Sequence, residues 1–119
     1  MKLQLVSIEK QGFIRVAAEG QITASDFTAD GKNPIAGALG ETWTNNNVLI
    51  NFEKVNFIDS TAIGWLISSN KQFRDAGGKL VIHTLQPSVR QVLDLLKVGK
   101  TVSIAEDEPA ARALVSTAG

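Results

Sequence analysis

The chain of 119 residues contains no cysteine and a single histidine, His83. The absence of cysteine excludes disulfides, thiolate zinc sites, iron–sulfur clusters and cysteine nucleophiles. One histidine likewise excludes a metal site built from several imidazoles and a mechanism that uses a pair of them. We therefore expect no metal and no cofactor. A chain without cysteine also fits the reducing environment of the cytoplasm.

The chain also lacks an excess of charge of either sign, because it has 12 Lys and Arg residues and 12 Asp and Glu residues. A balanced charge removes the basic surface expected of a protein that binds nucleic acid or anionic membranes. No apolar run approaches the roughly 20 residues that a membrane span needs, and no signal peptide is visible at the start. These observations predict a soluble cytoplasmic protein without a nucleic-acid partner or membrane insertion.

Common enzyme motifs are absent as well. The sequence has no P-loop, no glycine-rich dinucleotide motif after a strand and no G-x-S-x-G nucleophile turn. Its acidic residues do not follow the spacing of a calcium-binding loop. His83 lies in a predicted strand without a nucleophile or an acid in motif register, which indicates a structural or surface residue. We therefore expect no catalytic residue and no enzymatic activity.

The composition that remains is typical of a globular protein, with 44% hydrophobic and 20% charged residues. A chain of this length predicts one domain over residues 1–119. The apolar patterns predict strands at 3–8, 13–18, 48–52, 79–83 and 101–104, and helices at 62–74, 87–96 and 109–115. The alternation of strands with helices predicts an α/β fold with a mostly parallel sheet, an antiparallel N-terminal hairpin and about four covering helices.

Glycine and proline mark the expected ends of these elements. Gln11 and Gly12 predict the turn of the hairpin, and Gly20 is expected to end its second strand. The Gly77-Gly78 pair predicts the end of one helix and Gly99 the end of the next. In that second helix the apolar positions Val89, Val92, Leu93 and Leu96 follow the spacing of one buried face.

The segment 24–47 is the hardest to interpret, because polar residues and glycine interrupt its apolar pattern. Ile35, Ala36, Ala38, Leu39 and Trp43 could form one face of a short helix with Pro34 in its first turn. Gly37 and Gly40 weaken such a helix by about 1 kcal/mol each. The sequence favours a loop with a short covering helix. A less favoured hypothesis makes residues 31–40 the lid of a small-ligand site.

The most informative stretch is 55–65, where a buried strand leads into a helix that begins at Asp59-Ser60-Thr61. One interpretation is structural, with Asp59 or Ser60 as the N-cap that accepts a backbone N–H. The second is functional, because the positive end of a helix dipole accommodates a phosphate well. A phosphoryl group on Ser60 would add about −1.5 to −2 charges. That charge would repel a partner docked over the helix end through apolar or acidic groups.

These residues resemble a known family. Residues 59–64, with the sequence DSTAIG, are similar to the D-S-[ST]-[GA]-[LI]-G signature of the STAS domain family, and more narrowly to bacterial anti-sigma factor antagonists. The glycine pair with the strand at 77–82 and the helix at 87–96 extends the resemblance, which covers most of residues 1–22 and 46–117. The resemblance implies a STAS-like fold.

The resemblance also implies a function. In the family, an unphosphorylated antagonist binds an anti-sigma factor that is also a GHKL-type serine kinase, and binding frees the sigma factor. The kinase phosphorylates the signature serine, which corresponds to Ser60, and a phosphatase reverses the change. Thr61 is a secondary candidate for phosphorylation. The implied partner-binding surface consists of Asp59, Ser60, Thr61, Ile63, Gly64 and Trp65.

Two of these residues have further interpretations. Gly64 is expected to permit close packing of the helix on the sheet. Trp65 is either an interface anchor or a packing residue.

The sequence departs from the family after Gly20, where relatives often carry an acidic residue. A second departure is the long segment 24–47.

The alternative function is an unphosphorylated STAS scaffold subunit, in a signalling assembly or in a lipid-transport ABC complex.

Overall fold

The computed structural model describes residues 1–10, 12–27 and 32–116. These residues form five strands and four α-helices, with three short 3-10 turns at Ala24–Asp26, Trp43–Asn45 and Val98–Lys100. The strands are β1 (Lys2–Ile8), β2 (Phe13–Ile22), β3 (Asn47–Ile58), β4 (Lys79–His83) and β5 (Ser103–Ala105). The helices are α1 (Pro34–Leu39), α2 (Ser60–Asp75), α3 (Pro87–Leu95) and α4 (Glu108–Ser116).

The five strands form one sheet in the order β1-β2-β3-β4-β5. β1 and β2 pair antiparallel, and every later pair is parallel. The predicted mixed sheet with an antiparallel N-terminal hairpin and about four helices is therefore confirmed. Within the part of the chain that the structure describes, no helix has the length and apolar composition needed to cross a membrane.

The sheet separates two apolar layers, because successive side chains of a strand point to opposite faces. The larger layer joins the sheet to α1, α2 and α3, and the smaller joins it to α4. From the strands, the larger layer includes Ile14, Val16, Val48, Ile50, Leu80 and Ile82. The smaller consists of Phe13, Leu49, Val81, Ala105, Ala111 and Val115, with Ala110 packed against it. The larger layer holds the end of β3, through Val55 and Ile58, from which the chain continues to Ser60.

Two strands extend beyond their predicted ends. Gly20 was expected to end β2, but the strand continues to Ile22. Gly20 has a φ of 92° and lies at a shift of register against β3, so it accommodates a bulge instead of stopping the strand. β3 continues from the predicted end at residue 52 to Ile58, because the extended β2 supplies parallel partners as far as Ile22. The longer β3 leads directly into α2.

The last helices and strand differ from the prediction at their ends. α3 ends at Leu95, and Lys97 with a φ of 57° already turns the chain before Gly99. Of the four apolar positions predicted for its buried face, Val89 and Leu93 are buried, whereas Val92 is exposed and Leu96 is exposed beyond the end of the helix. β5 lies at Ser103–Ala105 instead of 101–104, and α4 begins one residue earlier than predicted, at Glu108.

The segment 24–47 forms a loop with a short covering helix, as the sequence favoured, where the structure describes it. Asn33 caps α1 by accepting the backbone N–H of Ile35 at 2.9 Å, and Pro34 occupies the first turn. Trp43 is buried, and its ring meets Phe73 edge-on with centroids 5.2 Å apart. The lid hypothesis includes Gly31, which lies outside the described residues.

Candidate functional site

The start of α2 is built around Asp59. Its Oδ1 accepts the backbone N–H of Ala62 at 2.9 Å, which is the hydrogen bond of a helix N-cap. The helix therefore begins at Ser60, two residues before the predicted start. Of the two N-cap candidates, Asp59 is the correct one, because the chain is extended at Asp59 and helical from Ser60 onwards.

Asp59 also binds the segment that follows β2. Its Oδ2 accepts the backbone N–H of Ala24 at 2.9 Å, and its own backbone N–H donates to the carbonyl of Ile22 at 3.2 Å. Both carboxylate oxygens are therefore used within the fold, and the residue is only partly exposed. This arrangement makes Asp59 a positioning residue that fixes the helix start on which Ser60 lies.

Ser60 occupies the first position of α2 and is exposed. Its hydroxyl makes no hydrogen bond within the described part of the chain, so it is not required for the local fold. Thr61 is exposed beside it. The first turn of a 16-residue helix carries a partial positive charge and unsatisfied N–H groups. The site therefore presents a free hydroxyl at a place that tolerates added negative charge.

A shallow apolar groove of about 140 Å³ lies next to this helix start. Phe57, with 49% of its surface exposed, and Val92 from α3 form its apolar walls. Ser88 and Asn56 add polar groups at the rim, and Ile58 connects the groove to Asp59. Sequence reasoning missed this groove, because it predicted Val92 as a buried position.

Two of the three remaining predicted surface residues are less accessible. Ile63 and Trp65 have 8% and 7% of their surface exposed, so both side chains are buried beneath the predicted partner-binding surface. The packing interpretation of Trp65 therefore describes this structure. The expectation for Gly64 is wrong: the glycine is exposed, and an added Cβ would meet no atom within 4 Å. The helix packs on the sheet through Ala62 and Leu66 instead.

Asn33 is a structural residue that sequence reasoning did not single out. Its Oδ1 accepts the indole N–H of Trp65 at 3.0 Å in addition to the backbone of Ile35, and its Nδ2 donates to Ser69 Oγ at 2.8 Å. The Asn-Pro pair at 33–34 signals a helix cap. Nothing in the sequence signals the contact with α2, since that contact spans 32 positions.

His83 is a structural residue, as its position in a strand indicated. It is 1% exposed, and its Nδ1 lies 2.8 Å from the hydroxyl of Thr84. Burial lowers the pKa of His83, while the charge of Glu108 acts in the opposite direction. In the described residues, no group of three or more His, Asp or Glu side chains could hold a metal ion.

Glu108 connects α4 to the sheet. One carboxylate oxygen lies 2.7 Å from Arg15 Nε on β2, and the other lies 2.7 Å from Arg112 Nη2. Partial burial raises the pKa of Glu108, but the hydrogen bond and charge of Arg15, together with the charge of Arg112, hold it below its ordinary value. This cluster stabilises α4 and does not extend to the start of α2.

Comparison with known proteins identifies what the chain is similar to. The model of the STAS domain family matches residues 8–111. The structure is similar to an anti-sigma-factor antagonist (STAS) domain protein from Planctomyces limnophilus, with a TM-score of 0.71 and 15% identity over 98% of this chain and 99% of that one. It is also similar to the unphosphorylated anti-sigma factor antagonist SpoIIAA, with a TM-score of 0.64 and 15% identity over 99% of both chains.

Two further solved structures are also similar to the chain. The phosphorylated form of SpoIIAA from Bacillus gives a TM-score of 0.62 and 18% identity over 95% of this chain and 99% of that one. The STAS domain of a SulP transporter from Vibrio cholerae gives a TM-score of 0.52 and 23% identity over 86% of this chain and 82% of that one. At these identities the likeness establishes a shared fold.

Proposed function

Because the chain belongs to the STAS domain family, we propose that it is a non-enzymatic regulatory module of the anti-sigma factor antagonist type. Unphosphorylated, it binds an anti-sigma factor that is also a GHKL-type serine kinase. Phosphorylation of Ser60 by that kinase ends the interaction, and a phosphatase restores it. The protein acts in the cytoplasm and takes part in the control of transcription through this exchange of partners.

The observation that carries the proposal is the exposed hydroxyl of Ser60 at the start of α2, which is hydrogen-bonded to none of the described residues. A kinase reaches such a hydroxyl without unfolding the chain. The helix dipole offsets part of the charge that a phosphate adds. Asp59 keeps the helix start in place, because its carboxylate is held by Ala62 and Ala24.

The energy needed for such a switch is small. A hundredfold loss of affinity corresponds to about 2.7 kcal/mol. Like charges brought together at an interface cost several kcal/mol, and an unpaired charge buried against an apolar patch is costly through desolvation, so one phosphate suffices in either case. The neighbouring groove at Phe57 and Val92 supports a partner with an apolar contact surface. The existence of SpoIIAA in phosphorylated and unphosphorylated forms supports the same switch for a protein of this fold.

The experiment is a phosphorylation assay with ATP and a GHKL-type serine kinase encoded in the same genome. The phosphate should be located by phosphopeptide mapping on Ser60. Ser60→Ala should abolish labelling, whereas Thr61→Ala, the neighbouring exposed hydroxyl, should leave it intact. Full labelling of Ser60→Ala, or a phosphate at another position, would overturn the assignment.

A second candidate is a STAS subunit of a larger assembly, in which the serine is not used. The similarity to the STAS domain of a SulP transporter favours this function, because that domain is part of a larger protein. A signalling assembly or a lipid-transport ABC complex would be the setting. In that case a pull-down should recover a constant complex that Ser60→Asp leaves unchanged, whereas the first candidate predicts that Ser60→Asp disrupts it.

A further inference from the structure

β1 is an edge strand with an unusual number of exposed apolar side chains. Its strand neighbour is β2, and no described element pairs with its outer side. The exposed fractions of Leu5, Val6 and Ile8 are 44%, 51% and 71%. An edge of this kind presents free backbone N–H and C=O groups together with apolar surface, and it is a template for another strand.

A bulge decides which face of the sheet each side chain of β1 occupies. The pairing with β2 shifts between Leu5 and Ser7, so Val6 is the extra residue. Residues that oppose one another share a face, so the partners in β2 assign the faces. Leu3, Leu5 and Ile8 oppose core residues of β2, namely Ala18, Val16 and Ile14, whereas Lys2, Gln4 and Ser7 oppose Glu19, Ala17 and Arg15 on the other face.

This assignment of side chains to the two faces allows β1 to pair antiparallel with β1 of a second copy. In the register where paired residue numbers add up to 11, Leu3 lies opposite Ile8 of the second copy, and Gln4 lies opposite Ser7. An unbulged strand would bring residues of opposite faces together in this register, because the side-chain period is two. The bulge shifts the second half of β1 by one position, so each of these pairs shares a face.

The charges favour the same register. It places Lys2 opposite Glu9 of the second copy, and the twofold symmetry repeats this pair at the other end. The Glu9 carboxylate accepts the hydroxyl of Ser7 at 2.6 Å, which places it on the face of Ser7 and Lys2. A shift by one residue sets Lys2 opposite either Ile8 or Lys10, which loses the attraction or creates a repulsion.

From the exposed edge, the matching faces and the charge pairs, we infer that β1 binds β1 of a second copy. The two sheets then form one continuous sheet, joined by an antiparallel pair of β1 strands that is centred on Leu5 and Val6. This dimer is independent of the proposed function, since the start of α2 follows β3, which β2 separates from β1 in the sheet. The occupant is a second copy, because the same strand supplies both complementary charges, Lys2 and Glu9.

The first test measures molar mass by sedimentation equilibrium over a wide range of protein concentration. The unmodified chain should form a dimer. Ile8→Lys should make it monomeric, whereas Leu95→Lys on α3, an equal change at a residue that is 79% exposed, should leave the dimer intact. A chain that stays monomeric at every concentration, or a dimer that survives Ile8→Lys, would overturn the inference.

The second test exchanges the charges. Lys2→Glu and Glu9→Lys should each weaken the homodimer by about tenfold, because each change creates two like-charge pairs. Mixed together, the two variants should form a heterodimer of ordinary affinity, since every pair is again of opposite sign. Circular dichroism should show both variants folded. Failure of the mixture to recover the dimer would contradict the register.

Discussion

The carboxylate of Asp59 accepts the backbone N–H of Ala24 at 2.9 Å, across 35 positions of sequence. Its other oxygen caps α2 at Ala62. One side chain therefore joins the segment after β2 to the helix that begins at Ser60. Because the helix start is held from two sides, we expect a phosphate on Ser60 to change the charge of this surface more than its shape.

Removal of this double contact should destabilise the fold. Asp59→Ala loses a helix cap and a hydrogen bond to Ala24, each of which contributes about 1 kcal/mol to the free energy of unfolding. We expect a loss of about 2 kcal/mol in urea denaturation. Asp59→Asn is the control, because its amide oxygen still caps α2. An unchanged urea midpoint for Asp59→Ala would show that Asp59 does not hold the helix start.

Substitution of alanine at two glycines should change the free energy of unfolding in opposite directions. At Gly78 a Cβ would collide with the backbone carbonyls of Thr44 and Asn46, the latter at 2.5 Å, so Gly78→Ala should strongly destabilise the chain. At Gly64 a Cβ meets no atom within 4 Å, and Gly64→Ala should raise the free energy of unfolding by about 0.5–1 kcal/mol. Thermal unfolding of both variants measures this difference. Equal effects would contradict the surroundings described for these two glycines.

Asn33 should stabilise the contact between α1 and α2. Asn33→Ala removes the acceptor of the Trp65 indole N–H and the donor to the buried Ser69, so we expect a loss of about 2 kcal/mol. In a Trp43→Phe background, the fluorescence of Trp65 should also shift to longer wavelength as water reaches the indole. Gly37→Ala, an exposed change on α1, is the control and should leave the emission unchanged.

Stability should depend on pH through His83. Burial lowers the pKa of His83 in the folded chain, so the unfolded chain binds its proton first as the pH falls. The free energy of unfolding should therefore be highest above about pH 6.5 and should decrease as the pH falls below that value. His83→Asn should flatten this decrease. The charge of Glu108 opposes the shift of the His83 pKa. The pKa of Glu108 is itself lowered in the folded chain, so the stability that its ion pairs provide is lost only in more acidic solution.

The order of elements could be predicted from apolar periodicity, but several ends could not. Gly20 is a local signal for the end of a strand, and only the pairing of β2 with β3 turns it into a bulge. Similarly, Val92 has the spacing of a buried helix position, yet it is exposed beside Phe57, where no described element covers it. At both places the tertiary surroundings, which a local pattern does not contain, decide the outcome.

The site was predictable to the extent that it depends on local chemistry. Asp59 was a predicted N-cap, and Ser60 follows it with an open hydroxyl. The contacts of Asp59 with Ala24 and of Asn33 with Trp65 connect distant segments, so no local pattern signals them. The role expected of Gly64 was wrong, because the helix turns that position towards solvent.

The central claim is that a phosphate on Ser60 ends binding without unfolding the chain. The direct measurement is the Kd between the GHKL-type kinase and this chain, compared by calorimetry for the unmodified and the stoichiometrically Ser60-phosphorylated protein. We predict a Kd at least about a hundredfold higher for the phosphorylated chain, with its circular dichroism spectrum and melting cooperativity retained. Equal Kd values for the two forms, or a loss of binding that accompanies unfolding, would contradict the claim.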